Sequence, residues 1–224
     1  GTSAATGIRI GGIVGNLVYA NMTKCKNAGA VKDESTSPGG YVGGVAGWIS
    51  TTKITLTDCD NAATVSAKFG SESRSTKVNR STVYIGGIAG GSNSEIILNG
   101  CDNTANVINN CPANAAVAKT AVAGVIGFCN THTTMTNCTT SGDVTNNCND
   151  TKNEYFGGLA GQIENNKTTK ITGCTVTANL TVKVTKRDAN HFSGILVGRL
   201  TDKVDGSGAD ATVSTTIQNV TVRG

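Results

Sequence analysis

Hydrophobic positions along this chain fall in short alternating runs, such as Thr55-Leu56-Thr57 and Thr134-Met135-Thr136, broken by glycine-bearing corners. The runs are rich in β-branched residues, and none carries the period of an amphipathic helix, so the pattern predicts strands. The pattern also recurs. The phrase Ile10-Gly11-Gly12-Ile13-Val14-Gly15 returns as Val42-Gly43-Gly44-Val45-Ala46-Gly47 and Ile85-Gly86-Gly87-Ile88-Ala89-Gly90. It returns again as Val122-Ala123-Gly124-Val125-Ile126-Gly127, Phe156-Gly157-Gly158-Leu159-Ala160-Gly161 and Phe192-Ser193-Gly194-Ile195-Leu196-Val197. The first small residues stand at 11, 43, 86, 123, 157 and 193.

A second landmark follows each phrase: Cys25, Cys59, Cys101, Cys138 and Cys174, with Val220 in the sixth copy. A cysteine column that ends in valine reads as a small buried apolar position, a core ladder of reduced thiols. Three residues earlier the chain is always apolar, at Met22, Leu56, Leu98, Met135, Ile171 and Ile217. Six residues later stand Val31, Val65, Val107, Val144 and Leu180. Two residues after the cysteines come Asn27, Asn61, Asn103, Thr140 and Val176. Stacked Asn amides can hydrogen-bond along a column, and Asn equally suits a tight turn.

Each unit reads as three short strands joined by tight corners, with glycine at the corners and wherever backbones approach closely. Units this small cannot bury an apolar face alone and must stack. The expected fold is all-β: a single-stranded parallel β-solenoid of about six turns, right-handed by the usual preference of parallel crossovers. At about 4.8 Å per rung the stem would stand roughly 29 Å tall. Segments 32–41, 66–83, 108–120, 145–155 and 183–191 are polar and unequal in length. They read as loops on one edge, where repeat proteins often bind.

Composition agrees. Aromatics are only 4% of the chain, which is thin for a globular core but sufficient for a solenoid. Glycine is frequent (29) and proline rare (2), which excludes collagen and proline-rich linkers. A net charge of +4 is too weak to imply nucleic acid. No apolar run is long enough for a membrane-spanning helix.

The phrase Gly157-Gly158-Leu159-Ala160-Gly161, the pair Asn137-Cys138 and the run Ser141-Gly142-Asp143-Val144 resemble the GLUG repeat family. Its usual form reads Gly-Gly-Leu-Val-Gly, then Asn-Cys, then Gly-Asn-Val. The resemblance extends from about Gly7 to Val222, with longer insertions and with Val220 in place of a cysteine. Such repeats occur in secreted and surface-exposed bacterial proteins, including adhesin-like ones. The resemblance implies a structural or adhesive segment at the cell surface or outside the cell. It also implies one domain over 1–224 within a larger surface protein, with no catalytic residues or cofactor to carry over. The expected partners are a protein or glycan ligand and other domains of the same parent chain.

Few residues point to chemistry. Lys68, Arg74, Lys77 and Arg80 against Glu72 make the 66–83 loop a candidate grip for an anionic ligand. The plainer reading is a solvated loop. Cys111 and Cys148 each follow Asn-Asn four residues past a strand-end valine, so they form a candidate disulfide between adjacent turns. A zinc site is disfavoured, with no Cys-x-x-Cys and only His132 and His191. A polysaccharide-active enzyme would need clustered carboxylates, and here only Asp60 and Asp102 stack, beside Lys26. The Thr-x-Thr units suggest an ice-binding face, but Ile97, Asn99 and Lys170 interrupt it, and β propensity alone explains threonine there. Trp48 and Phe128 follow the glycine phrase and are expected to pack at a corner, with sugar stacking the alternative. The expectation is a non-enzymatic binding segment with no metal.

Overall fold

The computed structural model describes residues 7–35, 39–69, 82–110, 118–147, 153–165, 168–182, 190–202 and 214–223. The chain forms a parallel β-solenoid of six turns, with no helix among these residues. Each of the first five turns contributes one strand to each of five sheets, here A to E, and the described residues of the sixth contribute to A to D. In the first turn these are Ile8–Gly11, Val14–Val18, Met22–Thr23, Lys26–Asn27 and Val31–Asp33. Sheets A to D have six strands and sheet E has five.

The sequence pattern led to three strands per turn, and the structure has five. Two corners of two residues cause the difference. One splits each glycine phrase, so that Gly40–Gly43 belongs to sheet A and Ala46–Ser50 to sheet B. The other separates sheets C and D immediately before and at the cysteine. There Lys24, Asp58, Gly100, Asn137, Gly173 and Asn219 all have φ between 51 and 65°. Gly, Asn and Asp visit this left-handed region most readily, so five of the six residues suit the corner. The sixth glycine phrase also shifts by one. Gly157 pairs with Gly194 and Ala160 with Val197, so its small residue is Gly194 rather than Ser193.

The glycines of the phrase are required by contact. A Cβ on Gly44 would lie 2.1 Å from the Gly87 carbonyl oxygen and 2.4 Å from the Asn61 side chain. A Cβ on Gly47 would lie 2.6 Å from backbone atoms of Gly15 and Ile10. Sheets A and B therefore meet backbone to backbone, and their corner touches the Asn column of sheet D. This contact narrows the cross-section to a waist and divides the interior into two cores.

The larger core lies among sheets B, C and D. It holds Ile49, Leu56, Leu98, Ile126, Met135 and the cysteine ladder. The smaller lies between A and E and holds Val42, Val65, Ile85, Val107, Val122 and Phe156. At the waist Asn27, Asn61 and Asn103 are buried. Asn27 Nδ2 donates to Asn61 Oδ1 and Asn61 Nδ2 to Asn103 Oδ1, each at 2.8 Å. The same amides donate to Gly29, Ala63 and Ala105 carbonyls at 2.8–2.9 Å. Ladder and turn bonding thus operate together, because a primary amide has two N–H groups to give.

Candidate functional site

Apart from the B-to-C connection 203–213 of the sixth turn, connections between strands are short except along one edge. A-to-B corners have two residues and D-to-E corners three, whereas the E-to-A connections span 34–39, 68–81, 110–118, 147–152 and 183–189. All five insertions leave from the same edge. Lys68 stands exposed at the root of the longest, its backbone N–H donating to the Asp33 carbonyl at 2.9 Å. The next residue, Phe69, is fully buried in the A–E core. Its ring fills the space left by Gly40, whose Cβ would meet it at 2.7 Å. Of the four predicted loop cations, Arg74, Lys77 and Arg80 lie outside the described residues. So do both members of the candidate disulfide, Cys111 and Cys148.

Next to this edge runs a seam of rings between sheets A and B. Tyr41 stacks on Trp48 at 4.3 Å between centroids, Tyr84 on Phe128 at 4.4 Å, and Tyr155 on Phe192 at 5.7 Å. Trp48, Tyr84, Phe128 and Tyr155 are buried, so Trp48 and Phe128 act as packing residues. Burial pushes the Tyr84 hydroxyl above its ordinary range. Ring sizes compensate along the seam. A Cβ on Gly91 would meet Trp48 at 2.8 Å and Phe128 at 3.3 Å, so the large rings of adjacent turns need a glycine between them.

Cations cover the seam. Lys119 Nζ lies 4.3 Å from the Phe128 ring and 2.8 Å from Glu164 Oε1, which also accepts from Gln162 Nε2 at 2.8 Å. The Arg199 guanidinium lies 5.1 Å from Phe192 and donates to the Tyr155 hydroxyl at 2.9 Å. On the opposite face of sheet A, the fully buried Glu154 contacts His191 Nδ1 at 2.7 Å. Turns four to six thus carry a polar, aromatic lip at the insertion edge, suited to a ligand with both apolar faces and hydrogen-bonding groups.

The other predicted positions do not join it. Asp60 and Asp102 lie on sheet D, away from the insertion edge. Lys26 pairs with Asp60 at 2.9 Å, and the hydrogen bond to Asp60 holds its ammonium above the ordinary range. Partial burial pushes the Asp102 carboxyl up, opposed by a hydrogen bond from Thr139. The Thr-x-Thr units line up on sheet C, but Thr55 pairs with Ile97, Thr57 with Asn99 and Thr134 with Lys170.

Cys59, Cys101, Cys138 and Cys174 are buried and free, while Cys25 in the first turn is half-buried. Thiol neighbours first, and burial second, hold Cys59 and Cys138 above the usual thiol range. Cys129, a further buried thiol that the repeat did not single out, is pushed up to about 12 by burial. Among the described residues no group of three or more His, Cys, Asp or Glu is placed to hold a metal ion.

No curated protein and no solved structure matches this chain. The GLUG motif matches residues 152–182, a stretch running from the Asn153–Gly157 strand of sheet A to the Leu180–Val182 strand of sheet E. The chain is therefore a parallel β-solenoid that carries the GLUG motif in its fifth turn.

Proposed function

We propose that this solenoid is a non-catalytic binding segment of a secreted or cell-surface bacterial protein. Its ligand is a protein or glycan, held at the edge where the E-to-A insertions leave. One observation carries the reading: the five E-to-A connections, the longest connection of the chain (68–81) among them, depart from one edge of the stack, beside a seam of rings and partly buried charges. Rigid scaffolds that present variable loops on one side are a common way to build a binding face. Lys68 and the sequence positions Arg74, Lys77 and Arg80 give the longest insertion a basic character that favours an anionic ligand.

The test is a glycan-array screen of the purified chain, with polysaccharide turnover followed in the same samples. Binding without turnover is the expected result. Charge reversal at Lys68, Arg74, Lys77 and Arg80 should then weaken binding of acidic glycans at least about tenfold, with far-UV circular dichroism unchanged. Turnover would overturn the reading and direct attention to Asp60 and Asp102.

A further inference from the structure

One side chain of the aromatic seam has no packing reason to be there. Successive turns of sheet B place Trp48, Gly91, Phe128, Gln162 and Arg199 in one column. Gln162 is 1% exposed, and its Oε1 has no hydrogen-bond partner among the described residues. A ring or an aliphatic side chain would fill this position without stranding a polar atom. The companion column of sheet A runs Tyr41, Tyr84, Ala121, Tyr155 and Phe192. Ala121 is the small residue of that column, and Lys119, two residues earlier, extends over the rings around it. Its Nζ lies 5.7, 4.3 and 5.7 Å from the centroids of Tyr84, Phe128 and Tyr155.

Glu164 links the lysine to the glutamine. Its Oε1 accepts from Lys119 Nζ and from Gln162 Nε2, each at 2.8 Å. An amine and a primary amide from adjacent turns therefore touch one carboxylate oxygen. The Lys119 and Glu164 side chains are only 19% and 18% exposed, so the trio is largely out of water. Desolvation favours the neutral, nucleophilic form of a lysine, and a neighbouring carboxylate can take its proton. An ion pair needs only Lys119 and Glu164; the buried amide is the part that an ion pair leaves unexplained.

We propose that Lys119 and Gln162 become joined by an intramolecular isopeptide bond, which the chain forms itself with Glu164 as the proton carrier. Lys119 Nζ gives a proton to Glu164 Oε1 and attacks Gln162 Cδ. The Nζ–Cδ bond forms and the Cδ–Nε2 bond breaks. Two protons pass from Nζ through Glu164 to Nε2, which departs as ammonium, and Glu164 ends as the carboxylate it began as. No electrons are transferred. Holding the three groups in contact supplies the proximity that an amine and an amide lack in free solution. The bond ties sheet A of turn four to sheet B of turn five beside the insertion edge. It forms once, during maturation, and is independent of any ligand the edge binds.

The test is the mass of the intact purified chain, reduced and unfolded before measurement. The expected mass is lower than the sequence requires by one ammonia. Digestion should give one branched peptide joining Lys119 to Gln162, with no tryptic cleavage at Lys119. Glu164→Gln and, separately, Lys119→Arg should each restore the full sequence mass with far-UV circular dichroism unchanged. The full sequence mass in the parent chain would overturn the inference and leave Lys119–Glu164 an ordinary ion pair, and this result decides even if a variant fails to fold. An ammonia loss that survives either substitution, or that maps elsewhere, such as ring closure at Asn99-Gly100, would overturn it as well.

Discussion

Replacing Asn61 with alanine tests whether the waist of the solenoid is held by its amide column. Asn61 is fully buried and sits in the middle of the ladder. Its Oδ1 accepts from Asn27 Nδ2, and its Nδ2 donates to Asn103 Oδ1 and to the Ala63 carbonyl. Ala63 is partly exposed, so water can replace its lost partner. The Asn27 N–H and the Asn103 oxygen are buried and cannot be rehydrated without opening the waist. Each such orphan costs about 1–3 kcal/mol, so Asn61→Ala should destabilise by about 3–4 kcal/mol. Thr140, two turns along, supplies the internal control. Its Oγ1 is buried with no hydrogen-bond partner, and the next turn places Val176 at the same position. Thr140→Val should therefore stabilise by about 1 kcal/mol. Urea unfolding monitored by circular dichroism, with m-values compared for two-state behaviour, measures both. The double variant Asn61→Ala/Asn103→Ala should cost at least about 1 kcal/mol less than the sum of the singles, since both break one shared bond. The reasoning fails if Asn61→Ala lies within about 0.5 kcal/mol of the parent, or if Thr140→Val is as damaging as Asn61→Ala.

Other substitutions separate packing from charge. Gly87→Ala should prevent folding, because its Cβ would meet the Gly124 oxygen at 2.1 Å; Gly29→Ala, where the nearest atom is 3.8 Å away, should leave the melting temperature within about 2 °C of the parent. Phe69→Ala should cost about 3–5 kcal/mol in urea unfolding by emptying the space beside Gly40. Asp102→Asn should stabilise modestly at neutral pH. Partial burial raises this carboxyl's folded pKa, so its contribution is most favourable when protonated and is lost as pH rises through that pKa. The advantage of Asn over Asp in thermal melts should therefore shrink as pH falls towards 3.8.

Much of this architecture is legible in the sequence because a solenoid turns spatial columns into sequence intervals. The cysteine, the apolar residue three before it and the valine six after it all align in register. Strand number was obscured because the corners are only two residues long. A strand such as Lys26–Asn27 is too short to show alternation. The last phrase is ambiguous in sequence because Ile195 replaces the second glycine, so Ser193-Gly194 resembles the pair although Gly194 holds the first position. The aromatic seam did have a signal. Tyr41, Tyr84, Tyr155 and Phe192 each stand two residues before the first glycine of a phrase, Trp48 stands five after Gly43, and Phe128 stands five after Ala123, which takes that glycine's place. Single rings do not reveal it, because two of the three stacked pairs join different turns, Tyr84 with Phe128 and Tyr155 with Phe192, 44 and 37 positions apart. The Lys119–Glu164 and Glu154–His191 pairs leave no sequence signal for the same reason: each links different turns outside any repeated column.

The second glycine and the Asn column explain one another. Gly12, Gly44 and Gly87 each face the Asn of their own turn, with a virtual Cβ 2.3–2.6 Å from its side chain. Gly124 faces Thr140 and Gly158 faces Val176 at 2.2 and 2.5 Å, so the glycine remains even where the amide does not. The steric need for a bare backbone at the waist is therefore the stronger constraint, and the hydrogen-bonded ladder is built on top of it. Where the waist residue is polar but shorter than Asn, as at Thr140, its hydroxyl is left unpaired; where it is apolar, as at Val176, the waist merges into the larger core. A GLUG turn can thus trade its Asn for valine without losing its shape, whereas an interior turn that traded its second glycine would not close.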